Sequence, residues 1–305
     1  MFKLIFFRIR CSLYNLIEVD MFNLKTLIMP EISVILSTYN AEAWLEKVLW
    51  GYECQIFKDF EIVIADDGSR SSTKDLINRF QNTTSLQLIH IWQEDDGFQK
   101  SKILNKALLA CNSEYIVMSD GDCIPRLDFL EVHAKHKQRG YFLSGGYFKL
   151  PMGISKKIKE KHVLSGKCFS LKWLKKQGLK SSFKNNKLNS KGFKSELLNT
   201  VTPTKMSWNG HNSSGWKDDI LAINGFDERM QYGGQDRELG ERLFNYGIKS
   251  KQIRYSAVCV HLDHKRGYNT KESIAKNKAI RKYTRDSKTI WTSYGITKES
   301  IELTA

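Results

Sequence analysis

From residue 31 onward, short apolar runs rich in β-branched residues alternate with helix-like stretches, and no other feature limits the available folds as tightly. The runs at 32–36, 60–65, 86–92 and 115–118 read as strands, and 43–52, 73–81 and 101–110 read as helices. Helices placed between successive strands act as crossovers, so the expected fold is α/β and Rossmann-like, with a mainly parallel central sheet flanked by helices. Three of the runs lead into a polar cluster: Ser37-Thr38-Tyr39-Asn40, Asp66-Asp67-Gly68-Ser69 and Asp120-Gly121-Asp122. Open α/β sheets bind ligands at the carboxyl ends of their strands, so the clusters converge on one candidate site.

Each cluster suits a particular chemistry. Asp120 and Asp122 flank a glycine at the end of a buried strand, where a hard divalent cation finds oxygen ligands and keeps room for substrate phosphates. Alone, the triplet is also an ordinary solvated turn. A carboxylate from Asp66 or Asp67 can accept the N3–H of uracil, whereas cytosine offers another acceptor there. The same pair could cap a helix starting near Ser71 or Ser72. Lys100 and Lys102 are placed to reach a diphosphate or to be surface lysines of a first turn. Asp236 follows Gly233-Gly234 and opens a helix, a junction that suits a general base and also a plain N-cap. His261 and His264, at the end of a further strand expected over 253–260, could complete the coordination begun by Asp120 and Asp122. No nearby Cys or His completes a zinc set. A calcium loop from Asp120 fails because Pro125 stands where a glycine is needed.

With 305 residues, 41% of them hydrophobic, the chain can bury a large core, and its net charge of +15 favours anionic partners. Six scattered cysteines fit reduced thiols in a cytoplasmic protein. Residues 1–28 hold charges among short apolar runs, with neither a membrane span nor a secretory signal, and read as a poorly packed extension. The expected organisation continues with a nucleotide-binding half over 29–150 and a lysine-dense insertion or loop over 151–205. An acceptor half over 206–305 follows, closed by a helix from Lys271 to Lys288. In the insertion, Phe169 and Trp173 among lysines pose the alternatives of a solvated face and of contact with an anionic membrane or acceptor. Asp128 and Glu131 read as a capping box for a helix over 129–137.

From residue 32 to about 266 the chain resembles the family-2 glycosyltransferases of the GT-A fold. The resemblance rests on the segment from Ile32 to Asn40, on Asp66-Asp67-Gly68-Ser69 and on Asp120-Gly121-Asp122, which stand in the family's order. The later half resembles a galactosyltransferase-type module through Lys102-Ile103-Leu104-Asn105, Asn224-Gly225-Phe226-Asp227 and the run from Gly233 to Leu239, with Gln235 where that module carries glutamate. The resemblance implies uridine held by Thr38, Tyr39 and Asp66 or Asp67, the ribose and sugar by Asp120, and Mn²⁺ or Mg²⁺ by Asp122 and His261. It also implies Asp236 as catalytic base. The implied reaction is inverting transfer of a hexose or N-acetylhexosamine from a UDP-sugar to a saccharide or lipid-linked saccharide in bacterial surface-glycan synthesis. The positive charge allows peripheral contact with the inner face of the cell membrane. Two rivals are a nucleotidyltransferase, which would carry a glycine- and basic-rich loop where Ser37-Thr38-Tyr39-Asn40 stands, and a nucleic-acid-binding protein, which the acidic clusters oppose.

Overall fold

The computed structural model describes residues 29–265 and 270–298, so the extension expected over 1–28 lies outside the described residues. Strand β1 (Ile32–Thr38) is followed by α1 (Glu42–Glu53), β2 (Phe60–Asp66), α2 (Ser71–Thr83), β3 (Leu88–Trp92), α3 (Lys100–Ala110) and β4 (Tyr115–Asp120). These four strands are mutually parallel, with β1 between β2 and β4. Burial on both faces explains why they read as near-continuous apolar runs. Val34, Leu36, Ile62 and Ile64 join one hydrophobic cluster, while Ile35, Val63 and Ala65 join the other across the sheet.

The strands extend into the polar clusters. Asp67 N–H donates to the Thr38 carbonyl at 3.0 Å and Gly121 N–H to the Ser37 carbonyl at 2.8 Å, so backbone pairing continues past the apolar residues. Register places Thr38 beside Asp66 and Ser37 beside Asp120.

After β5 (Cys123–Pro125) comes α4 (Phe129–His136), and here the expected capping box is corrected. The Asp128 carboxylate takes a two-pronged bond from Arg126, and no side chain caps the helix. A paired guanidinium offers a stronger partner than a backbone amide. The chain continues through β6 (Tyr141–Ser144), β7 (Gly146–Lys149), β8 (Ser213–Trp216), β9 (Lys249–Gln252) and β10 (Val258–His261). Among the described residues the main sheet has the order β3-β2-β1-β4-β8-β6-β9, with β8 antiparallel to both neighbours, and β5-β10-β7 form a second sheet. The single strand expected over 253–260 is thus divided. Ser256 and Ala257 N–H both donate to the Ile253 carbonyl, turning the chain from the main sheet into the small one.

Residues 151–205 fold into short helices: α5 (Met152–Lys157), α6 (Glu160–Leu164), α7 (Leu171–Lys176), α8 (Asn186–Asn189) and α9 (Gly192–Val201). Phe169 and Trp173 are partly buried and pack against the larger hydrophobic cluster. Helices α10 (Lys217–Ala222), α11 (Gln235–Asn245) and α12 (Lys271–Asp286) complete the described elements, with α12 lying on α11.

Candidate active site

The carboxyl ends of β1, β2 and β4 open into a cleft of about 2170 Å³, walled also by β7 and the loops around Gly210 and Gly233. Its volume exceeds the roughly 300–1,000 Å³ of a usual small-molecule pocket, leaving room for two substrates. Thr38, Tyr39, Asp67, Lys100, Asp120, Asp122, Asp236 and His261 all line it. Asp66 and Lys102 do not, and both expectations of ligand contact are corrected. Asp66 is 1% exposed, with one oxygen accepting from Ser69 N–H and the other paired with His90 at 2.9 Å. Lys102 is exposed on α3 and is not one of the residues that line the cleft.

Asp67 is oriented by Gln93 Nε2 at 2.7 Å and by Gln99 N–H at 3.0 Å. Burial pushes its carboxyl up to about 6 against those two donors. Tyr39 donates its hydroxyl to Asp95 at 2.8 Å, joining the β1 loop to the 95–97 turn. Thr38 Oγ1 is buried and has no protein partner, as a hydroxyl reserved for a ligand would be.

Only glycine fits between Asp120, at the end of β4, and Asp122, in the turn after it, because a Cβ on Gly121 would meet the Ser37 carbonyl at 2.9 Å. The two carboxylates have different partners, and the candidate metal group of Asp122, Cys123 and His261 does not include Asp120, which was expected to share the cation. Asp120 Oδ1 accepts from Lys100 Nζ at 2.6 Å and from Ser37 Oγ at 2.8 Å. Burial opposes the charge on Asp120, but Lys100 outweighs it and holds the carboxyl below its ordinary range. Asp122 faces the histidines instead. His264 Nε2 stands 3.1 Å and His261 Nε2 3.7 Å from Asp122 Oδ2, and the two imidazoles stack. Ligand atoms of Asp122, Cys123 and His261 all lie within 4.8 Å of one another. Burial raises the Cys123 thiol well above its ordinary value, leaving a carboxylate and imidazoles as the ready donors, a set that fits Mn²⁺. His261 Nδ1 is buried without a partner, a polar atom that a ligand or ion could satisfy.

Asp236 lies in the first turn of α11, after Gly233 and Gly234 at φ +111° and +96°, values that side-chain-bearing residues rarely adopt. Gly234 is the N-cap, so Asp236 is not itself the cap. Its Oδ2 accepts from Gly210 N–H at 3.1 Å and its Oδ1 from Arg237 N–H. A Cβ on Gly210 would lie within 4.0 Å of Lys100 Nζ, Asp236 Cβ and Asp120 Oδ1, so this glycine marks where the three side chains meet. Sequence reasoning missed the next residue. Burial pushes His211 down to about 4 against the attraction of Asp120 and Asp236, keeping it neutral at pH 7, and its ring meets Tyr147 edge-on at 4.6 Å. Its signal was slight: Asn209-Gly210-His211-Asn212 is a polar loop without a distinguishing spacing.

A mainly parallel sheet with acidic clusters at its carboxyl edge is the GT-A arrangement of nucleotide-sugar transferases. The family model described as Glycosyl transferase family 2 matches residues 33–195, over half of the chain, and the chain belongs to that family. The match includes Lys102-Ile103-Leu104-Asn105 but stops before the other two segments that resemble the galactosyltransferase-type module, Asn224-Gly225-Phe226-Asp227 and the run from Gly233 to Leu239. Among curated relatives, the validoxylamine A glucosyltransferase of Streptomyces hygroscopicus subsp. limoneus is 25% identical over 75% of this chain and 51% of its own. The hyaluronan synthase of Pasteurella multocida is 27% identical over 73% of this chain and 24% of its own. This chain therefore spans about half of the first relative and a quarter of the second. The solved mannosyltransferase PcManGT of Pyrobaculum calidifontis, in complex with GDP-Man and Mn²⁺, has the same fold at a TM-score of 0.52. It is 19% identical, with 86% of this chain and 63% of that one covered.

Proposed function

We propose that this chain transfers a hexose or N-acetylhexosamine from a UDP-sugar to a hydroxyl of a saccharide acceptor, with inversion, in bacterial surface-glycan synthesis. The observation that carries this reading is the meeting of Asp236, Asp120 and Lys100 around Gly210, which sets one carboxylate that has no salt bridge among the described residues beside a paired one. The relatives act on sugars by name, and the fold neighbour holds a nucleotide sugar with Mn²⁺. These family ties lead us to set aside the nucleotidyltransferase and nucleic-acid readings.

Asp67 and Tyr39 would bind the base and Thr38 its ribose or phosphate, with Asp120 held toward the sugar by Lys100. Asp122 and His261, with His264 beside them, would hold Mn²⁺ or Mg²⁺, which supplies charge neutralisation for the departing diphosphate. The Asp236 carboxylate would take the acceptor hydroxyl's proton as the oxygen bonds to the anomeric carbon and the bond to UDP breaks. A single displacement needs one such carboxylate. A retaining route through a glycosyl-enzyme needs a second as nucleophile, and Asp120 is committed to Lys100.

No helix among the described residues is long and apolar enough to cross a membrane. We place the reaction in the cytoplasm at the inner membrane face, where a lipid-linked saccharide acceptor would be available. The test is nucleotide release from a panel of UDP-sugars, with GDP-mannose as the contrasting base, in Mn²⁺, Mg²⁺ or chelator. Release from one UDP-sugar is expected. Preference for GDP-mannose would overturn the uridine assignment. Asp236→Asn should lower turnover by about 10²- to 10⁴-fold with donor affinity nearly unchanged.

A further inference from the structure

The lysine-dense segment contributes more than surface charge. Lys180, Lys184 and Lys187 line the same cleft as the acidic clusters, together with Arg254 from the turn before β10. None of the four has a carboxylate partner among the described residues, whereas the adjacent Lys149 is paired with Asp263 at 3.2 Å. Lys187 is partly buried, and its ammonium donates only to a neutral group, the Tyr147 carbonyl, at 3.0 Å. Burial, with Arg254 and Lys184 beside it, pushes Lys187 down to about 8. The Arg254 Nε is buried with no hydrogen-bond partner, and its side chain packs against Gly146, where a Cβ would meet Cγ at 2.8 Å. Clustered cations drawn from water without counter-charge are costly, and a bound anion is the ordinary remedy.

Position sets this group on the β7 side of the candidate metal ligands. The small sheet runs β5-β10-β7, with Cys123 of β5 adjoining Asp122 and with Tyr147 on the far strand. Lys187 is bonded to that far strand, about 10 Å from β5 at ordinary strand spacing. The Tyr147 ring reaches back to His261 at 5.1 Å and to His211 at 4.6 Å, so the cations adjoin the candidate metal ligand and His211 through that ring.

We propose that Lys180, Lys184, Lys187 and Arg254 form a subsite for an anionic group, phosphate or carboxylate, carried by the acceptor saccharide. The assignment deepens the transferase reading and rests on it. Lys187 and Arg254 form its floor, and the exposed Lys180 and Lys184 line its solvent side.

The test titrates glucose 1-phosphate, glucuronate and methyl glucoside into the full chain saturated with UDP and Mn²⁺. Wild type should prefer at least one anionic sugar over methyl glucoside by about tenfold, the scale of one charge-assisted hydrogen bond. The preferred anion then tells a phosphate-bearing acceptor from a uronate. Lys187→Gln and Arg254→Gln should each erase that preference while the Kd for UDP moves by less than about twofold, which also certifies folding. Absence of an anion preference in wild type overturns the proposal, as does its survival in both variants. A loss of UDP affinity equal to the loss for the sugar phosphate would assign the cations to the donor. Failure of wild type to bind UDP at all, read in the preceding titration, would instead defeat the transferase reading.

Discussion

Asp66 and Asp67 are neighbours in the chain and live in different surroundings. Asp66 closes the loop from within by accepting from Ser69 and pairing with His90, while Asp67 lines the cleft. The sequence offers the pair as a uracil acceptor; which member faces the ligand depends on the strand's pleat and on what lies behind it. A pH dependence follows for Asp67. Only the ionised carboxylate can accept N3–H without offering a competing proton, and burial places its titration at about 6. Uridine affinity should be level above pH 7 and weaken as pH falls through 6, toward tenfold per pH unit below that point. Asp67→Asn should bind weakly at every pH. Calorimetry with uridine, which lacks the diphosphate and so avoids the imidazoles, checks both expectations, and a level profile from pH 8 to 5 would remove Asp67 from base recognition.

At the scale of elements, β1, β2 and β4 were readable because burial on both faces leaves uninterrupted apolar runs. The run over 253–260 was misread because the buried Ile253, Tyr255 and Ala257 alternate with Arg254 and Ser256, so a buried turn carries the period of a half-buried strand. The motifs of the later half turn out to fasten the structure as well. Asn105 on α3 accepts from Phe226 N–H at 2.7 Å and donates to its carbonyl at 2.9 Å, joining two segments that are 121 residues apart. Helix α12 has a comparable duty toward Asp236. Asn277 Nδ2 donates to the carbonyls of Gln231, Tyr232 and Gly233, the loop that leads into α11. Asn277 is fully buried, so Asn277→Ala strands those acceptors and should cost about 1–3 kcal/mol of stability. It should also lower kcat with little change in the donor KM, measured by nucleotide release beside chemical denaturation. Unchanged kcat would show that α12 merely covers the loop.

For the whole molecule, the expected halves meet in one sheet: β8, from the later half, is inserted between β4 and β6 of the earlier one. Donor-side and acceptor-side groups are therefore held by a shared rigid element, and ligand binding should stabilise the fold as one unit. With Mn²⁺ and UDP at about 100 times Kd, linkage adds about 2.7 kcal/mol, or roughly 4 °C in Tm for a chain of this length. A chelator should remove most of that shift. A single transition that moves intact is expected in calorimetry, and two separately moving transitions would contradict the shared sheet.

The sequence by itself determined the α/β class, the sheet edge where the cleft opens, and the choice of Asp67, Asp122, Asp236 and His261 as candidates, all of which line that cleft, because strand ends and glycine turns leave local signatures. Tertiary structure alone decided that Asp120 pairs with Lys100, that Asp66 turns inward, and that His211 and four cations without a carboxylate partner among the described residues line the cleft. The physical reason is that charge pairing and desolvation depend on distances through space. Lys100 and Asp120, twenty residues apart, meet at 2.6 Å, and nothing in their spacing along the chain predicts it.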